Sequence, residues 1–169
     1  DEKTRPLGTT KADVLTCISG MFARRGYNID SLSVCNTNNP ELSRMTIVAL
    51  GTDDEINQIV RQLDKLWDCH KIRILKPSEC VKRELLLIKV KVPASRRPEI
   101  ESTANMMKVK IIDVGASAVT CEMTGEPNKI DKFIELMQPY GILELARTGI
   151  TALSRGEDVL DDLPDYNVE

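Results

Sequence analysis

The stretch LLLIKVKVPASRRPEIESTANMMKVKIIDVGASAVTCEMTGEPNKIDKFIELMQPYGILELARTGITAL (85–153) decides the fold. Residues 85–92 are apolar at first and then alternate, as a strand does, and Pro93 closes them. Residues 95–109 read as a helix, with Ser95 as its cap and Pro98 tolerated in the first turn. Two short strands follow at 110–115 and 117–125, the second alternating Val119, Cys121 and Met123. Ile130, Phe133, Ile134 and Met137 share one helical face, which Pro139 and Gly141 end. Residues 142–153 supply the last strand. The order β-α-β-β-α-β is the ferredoxin-like plan, with two helices on one face of a four-stranded antiparallel sheet.

The first half repeats this order. ADVLTCISGMFARR (12–25) places Val14, Leu15, Ile18, Met21 and Phe22 on one helical face, with Asp13 in its first turn and Gly26 as its C-cap. Strands are predicted at Ile29–Cys35 and at RMTIVALG (44–51), with NTNNPE (36–41) as the loop between them. Thr52 and Glu55 form a capping box for a helix carrying Ile56, Ile59, Val60, Leu63, Leu66 and Trp67. HKIRIL (70–75) alternates as a strand. The opening strand is not evident, because Pro6 and Gly8 interrupt TRPLGTT. The fold class expected is α+β, two ferredoxin-like βαββαβ domains. The domains are 1–76, with an atypical first strand, and 84–156, joined by a polar linker at 77–83. The acidic tail 157–169 is expected to be solvated. The open face of each sheet needs a cover, for which a second copy or another subunit is the usual source.

Composition narrows the function. Of 169 residues, 4% are aromatic and the net charge is -3. Few aromatic faces argue against a single-strand nucleic-acid platform. A pI near 5.4 argues against phosphate-backbone binding. No apolar run is long enough to span a membrane, and the polar start DEKTRPLGTT is not a secretory signal. Five cysteines without a C-x-x-C suit reduced, buried thiols in an intracellular setting.

Active-site chemistry finds little support. His70 is the single histidine. Cys69 and His70 are neighbours on a strand and point to opposite faces. The pairs Asp53/Asp54 and Asp161/Asp162 read as helix-start and tail residues. Phosphate-binding glycine loops are absent. No catalytic residue and no metal ligand is therefore assigned. The junction ARRGYNIDSL (23–32) remains. Asn28 offers a donor and an acceptor to the two charged ends of an amino acid. The loop before the first helix offers backbone N–H groups to a carboxylate. The plain alternative is a C-cap glycine followed by a turn asparagine.

FARRGYNIDSLSV (22–34), LSRMTIVALG (42–51), RELLLIKV (83–90), the run TGEPNKIDKFIELMQPYGILELARTG (124–149) and ALSRG (152–156) strongly resemble the small regulatory subunit of acetolactate synthase (acetohydroxyacid synthase). The resemblance covers about residues 14–156. It implies an N-terminal ACT domain, a C-terminal ferredoxin-like domain and a homodimer with ACT domains side by side. It implies no active site and no cofactor in this chain. The catalytic partner subunit would carry thiamine diphosphate, Mg and FAD. Binding would activate that partner in valine, leucine and isoleucine biosynthesis and confer feedback by a branched-chain amino acid, usually valine. The setting implied is cytoplasmic, or organellar after loss of a transit peptide. A stand-alone amino-acid-sensing ACT protein is the competing reading, and a small enzyme on this fold is a third.

The resemblance places the effector between the loop before the first helix and Asn28 with Ile29. Members usually carry Asn-x-x-Gly-[VA]-Leu-[ST]-Arg at that loop. Alignment on Val14 and Leu15 puts Thr10 at the asparagine, Asp13 at the glycine and Cys17 at the arginine. Asp13 adds like charge, which at about 4 Å in a partly buried site costs on the order of a few kcal/mol. Loss of the asparagine removes a charge-assisted hydrogen bond of roughly 1.5–3 kcal/mol. Valine feedback is therefore expected to be weak. An altered N-terminus, or a loop adapted to a different effector, would account for the same departure.

Overall fold

The computed structural model describes residues 2–8, 11–66 and 69–162, with backbone alone for 2–8, 11–14 and Asp161. The chain divides into two units. One groups Asp1–Val81 with the stretch that begins at Ile150, and the other is Lys82–Gly149.

The first unit runs β1 (Glu2–Gly8), α1 (Lys11–Arg25), β2 (Asn28–Asn36), β3 (Leu42–Leu50), α2 (Asp53–Asp64) and β4 (Arg73–Leu75). The sheet order is β2-β3-β1-β4, with every ladder antiparallel. The opening strand that the sequence concealed is therefore present, in the interior of the sheet. Register explains why Pro6 is tolerated there. β1 pairs with β3 along its whole length but with β4 only through Glu2–Thr4. Pro6 lies beyond the last rung with β4, where one side of the strand has no ladder to break.

Both helices bury their apolar stripe on one sheet face. Ile18, Met21 and Phe22 of α1 meet Ile56, Ile59, Val60 and Leu63 of α2 over Met45, Ile47 and Ala49 of β3. The predicted capping box starts α2. Thr52 Oγ1 accepts the Glu55 N–H at 3.3 Å, and Glu55 Oε2 accepts the Thr52 N–H at 2.7 Å. Gly26, at φ +66°, ends α1. The Tyr27 N–H then donates to the Phe22 carbonyl, and the Tyr27 ring stands edge-on to Phe22 at 5.9 Å.

The second unit runs β5 (Cys80–Lys91), α3 (Arg97–Met107), β6 (Lys110–Val114), β7 (Ala118–Gly125), α4 (Pro127–Met137) and β8 (Ile142–Arg147). Its order, β6-β7-β5-β8, is that of the first unit. Leu86, Ile88 and Val90 pack with Ile100, Ile130, Phe133 and Met137. Ser95 does not cap α3. It lies in a short 3-10 turn, Ala94–Arg96, and no side chain caps the helix. Arg96 instead holds Glu99 through Nε at 3.2 Å and Nη2 at 3.0 Å. The Tyr140 hydroxyl donates to the same carboxylate oxygen at 3.1 Å, while the Arg96 guanidinium lies 4.3 Å from the Tyr140 ring centre.

Three boundaries differ from the sequence expectation. The polar stretch 77–83 is not a loose linker, because β5 already begins at Cys80, which is buried. The region 142–153 is not one strand. β8 stops at Arg147, Gly149 takes φ +81°, and β9 (Thr151–Ser154) follows. The acidic tail is not uniformly solvated. Leu160 is buried, and Ser154 Oγ donates to the Asp158 carbonyl at 2.8 Å. The rest of the tail, 163–169, lies outside the described residues, as does Trp67.

The stretch after Ile150 belongs with the first unit because it covers that sheet. Val48 alternates with Ile47 and Ala49, so it faces away from the helices. Val48, Leu75 and Cys80 there bury Ile150 and Ala152. The Ile150 N–H donates to Ser31 Oγ at 3.4 Å, and the Ser33 and Thr151 hydroxyls meet at 3.2 Å. Part of the cover expected from another molecule is thus supplied by the chain itself. The second sheet takes the opposite solution. The rung Asp113·Thr120·Lys89·Glu144 is polar on its outer face, although Leu87, two residues along β5, is partly exposed beside it.

Ile150→Ala is expected to cost about 2–4 kcal/mol through loss of that packing, read as a lower melting temperature. Acid should weaken the second unit. Arg96 first, then Tyr140, hold the Glu99 carboxyl below its ordinary 4.5. A depressed carboxyl stabilises fully above the ordinary value, and the gain is lost as pH falls through the lowered one. Melts between about pH 3 and pH 7 should therefore show a shallower acid decline for Glu99→Gln than for the parent chain.

Candidate functional site

The junction predicted at 23–32 is a helix end, a left-handed glycine and a strand start. Asn28 opens β2, is exposed, and stands in register with Leu50 of β3. Ile29, opposite Ala49, is half-buried against the first core. Arg24 folds back, its Nε donating to the Gly20 carbonyl at 3.1 Å. Beside it, Met21 and Leu66 with Arg24, Arg25, Gln62 and Lys65 border a groove of about 590 Å³.

Of the loop residues, Thr10 lies outside the described residues. Asp13 and Val14 occupy the first turn of α1 by backbone, and Leu15, one residue on, is exposed. One chain does not bring this turn to Asn28. The two ends of α1 are separated by its own length, roughly 20 Å for fifteen residues at about 1.5 Å each. A small amino acid cannot bridge that distance, so the two halves of the expected site meet only if a second copy supplies one of them.

A tighter constellation lies in the second unit. Arg147, the last residue of β8, donates from Nε to Glu84 Oε1 at 2.9 Å and from Nη2 to Glu84 Oε2 at 2.7 Å. Its Nη1 donates to Asp131 of α4 at 2.8 Å. Glu84 is buried, on the same parity as Leu86 and Ile88. The two carboxylates raise the Arg147 pKa, Glu84 most strongly. Next to this clamp the Leu85 N–H donates to Thr148 Oγ1 at 3.0 Å, and the Thr148 N–H returns to the Leu85 carbonyl at 3.1 Å. Arg83 also faces Glu126 at 3.8 Å. The sequence runs RELL and ARTG are therefore two sides of one structure.

The segment that contains both runs matches a known family. A family described as the small subunit of acetolactate synthase matches residues 83–156. An acetohydroxyacid synthase small-subunit-like ACT domain matches residues 11–71. The chain belongs to the acetolactate synthase small-subunit family. It is 48% identical over 147 residues to a probable acetolactate synthase small subunit of Methanothermobacter thermautotrophicus, covering 86% of this chain and 88% of that one. The acetolactate synthase small subunit of Bacillus subtilis is 40% identical, with 86% of each chain covered. The crystal structure of the small subunit from Thermotoga maritima superposes with a TM-score of 0.84 at 34% identity, over 93% of this chain and 98% of that one.

Within this family frame, the first unit is the ACT domain and the second the C-terminal domain. The Glu84–Arg147 clamp was not assigned from sequence, although its signal was there. A glutamate on the buried parity of a strand needs a cation, and Arg147 ends β8 where that strand pairs with β5 beside Glu84. The cysteines divide: Cys80 and Cys121 are buried, and burial pushes the Cys121 thiol up, whereas Cys17 and Cys35 are exposed. His70 is exposed. Among the described residues, no cluster of three or more His, Cys, Asp or Glu could hold a metal ion, and no helix is long and apolar enough to cross a membrane.

Arg147→Ala would leave Glu84 buried without its partner. The expected loss is about 2–4 kcal/mol, reduced from a fully buried pair because Arg147 is 31% exposed. Adding Glu84→Leu should recover most of it, and a denaturant double-mutant cycle measures both.

Proposed function

We propose that this chain is the non-catalytic regulatory subunit of acetolactate synthase. It binds the catalytic subunit and raises its activity in the synthesis of valine, leucine and isoleucine. The observation that carries this reading is the small-subunit likeness across both units. An ACT sensor acting alone has no need of the second unit and its clamp. The chemistry, with thiamine diphosphate, Mg and FAD, belongs to the catalytic partner, in the cytoplasm or in an organelle.

The chain acts as a homodimer, and β2 supports this. It is an edge strand of nine residues with an open ladder on one side. Side-by-side pairing there joins Asn28 and Ile29 of one copy to the α1 start of the other, with Thr10, Asp13, Val14 and Leu15. The effector is a branched-chain amino acid, most simply valine. Asp13 and Thr10 make the site poor for its carboxylate, so feedback is weak while activation persists.

Mixing the chain with its catalytic subunit should stimulate acetolactate formation, and lack of stimulation would overturn the regulatory reading. In calorimetry, valine should bind about two to three orders of magnitude more tightly to Thr10→Asn/Asp13→Gly than to the parent chain. Tight valine binding by the parent would overturn the weakened-feedback reading.

A further inference from the structure

The second sheet, β6-β7-β5-β8, ends in two open edges. In it β6 takes the place that β2 takes in the first sheet. Every residue of β6, Lys110–Val114, is exposed, including the large aliphatic Ile111, Ile112 and Val114. An exposed apolar edge strand is a template for another strand.

The ladder with β7 shows what this edge presents. Ile111 stands opposite Cys121 and Val114 opposite Val119, both buried, so these two lie on the helix side of the sheet. Lys110 stands opposite Glu122 and Asp113 opposite Thr120, so both lie on the outer face. Residues three apart on a regular strand point to opposite faces. The irregularity between Ile111 and Asp113, where Ile112 has no partner on β7, brings Lys110 and Asp113 to the same one. Neither takes part in an ion pair among the described residues.

This arrangement is complementary to itself. Let two β6 strands pair antiparallel about a point between Ile111 and Ile112. Lys110 of each copy then stands opposite Asp113 of the other on a common face, and Ile111 of each meets Ile112 of the other. Opposite charges directly across a ladder stabilise it and like charges destabilise it. Centring the pair on Lys110 or on Asp113 would oppose like charges. The β8 edge lacks this property. Its outer-face residues are Glu144 and Ala146, and Arg147 is already held by Glu84 and Asp131.

We propose that β6 is a self-recognition edge, to which a second copy of this chain adds its own β6 antiparallel to make one continuous sheet. Charge then alternates along the rung as Glu122, Lys110 and Asp113 of the partner subunit. A contact of this length is too small to hold two copies by itself, and it strengthens an association made elsewhere. It is independent of pairing at β2 and of the regulatory reading.

The test mixes unlabelled and heavy-nitrogen-labelled full-length chain, couples touching amine and carboxylate groups with a zero-length carbodiimide, and maps the products by mass spectrometry. A Lys110–Asp113 link joining one heavy and one light peptide is expected, and Ile112→Arg should abolish it with unchanged melting. Lys110→Glu and Asp113→Lys each oppose like charges in a self-pair, yet they complement one another. In sedimentation, their mixture should therefore associate at least about fivefold more tightly than either variant alone. If Lys110→Glu fails to fold beside Glu122, the Ile112→Arg comparison carries the test. Links within one isotope only, or coupling of Lys110 to Glu122 alone, would overturn the inference and leave the edge to a different protein or to water. A variant mixture no tighter than its components would overturn it as well. Stimulation of the catalytic subunit, read on the same samples, tests the regulatory reading separately.

Discussion

The bidentate pair between Glu84 and Arg147 sets the terms for much of this chain. A carboxylate on the buried parity of β5 is tolerable only with a cation in fixed geometry. Arg147 meets that need by ending β8 beside it, while its third nitrogen reaches Asp131 on α4. One residue therefore ties strand, strand and helix. Immediately after it, Thr148 exchanges two hydrogen bonds with Leu85, and Gly149 turns the backbone at positive φ. Arg147 thus also fixes where the second unit ends and the return toward the first begins.

That return gives meaning to the doubled topology. Both units use the same strand order and the same helix-covered face, yet they treat the open face differently. The second unit places a polar rung there, with Lys89 and Glu144 paired at 3.3 Å across β5 and β8. The first unit keeps Thr46 and Val48 buried on that face. Such a surface cannot be left to water without loss of hydrophobic stabilisation. Ile150 and Ala152 provide part of its cover. The repeat is therefore one of backbone plan, and the chemistry of the outer faces sets each unit's relation to its surroundings.

What could be read in advance follows from the range of the interactions. The α2 capping box and the Gly26 helix end are decided within four residues, and both were legible. The helical stripes of α2 and α4 were legible for the same reason. The first strand was hidden because Pro6 and Gly8 argue locally against it, while its tolerance depends on how short β4 is. Ser95 was a locally sensible cap that lost to a 3-10 turn and to the Arg96–Glu99–Tyr140 cluster, whose members come from 96, 99 and 140. The early start of β5 at Cys80 and the burial of Leu160 depend on packing that no local pattern encodes. At the candidate site, Asn28 and Gly26 could be placed from sequence.

The family frame and the departure at the loop together constrain regulation. A helix of fifteen residues holds the two halves of the expected effector site roughly 20 Å apart in one chain. On the proposed effector reading, sensitivity to an amino acid depends on association as much as on side-chain chemistry, because no single copy can close around the ligand. Asp13 lies in the first turn of α1, where a carboxylate is favourable for the helix because the N-terminal dipole is positive. The same position opposes an anionic ligand that would use those N–H groups. Local helix stability and effector affinity are thus in conflict at one residue. On that reading, a chain that keeps Asp13 gains a better helix start and gives up affinity for the effector carboxylate.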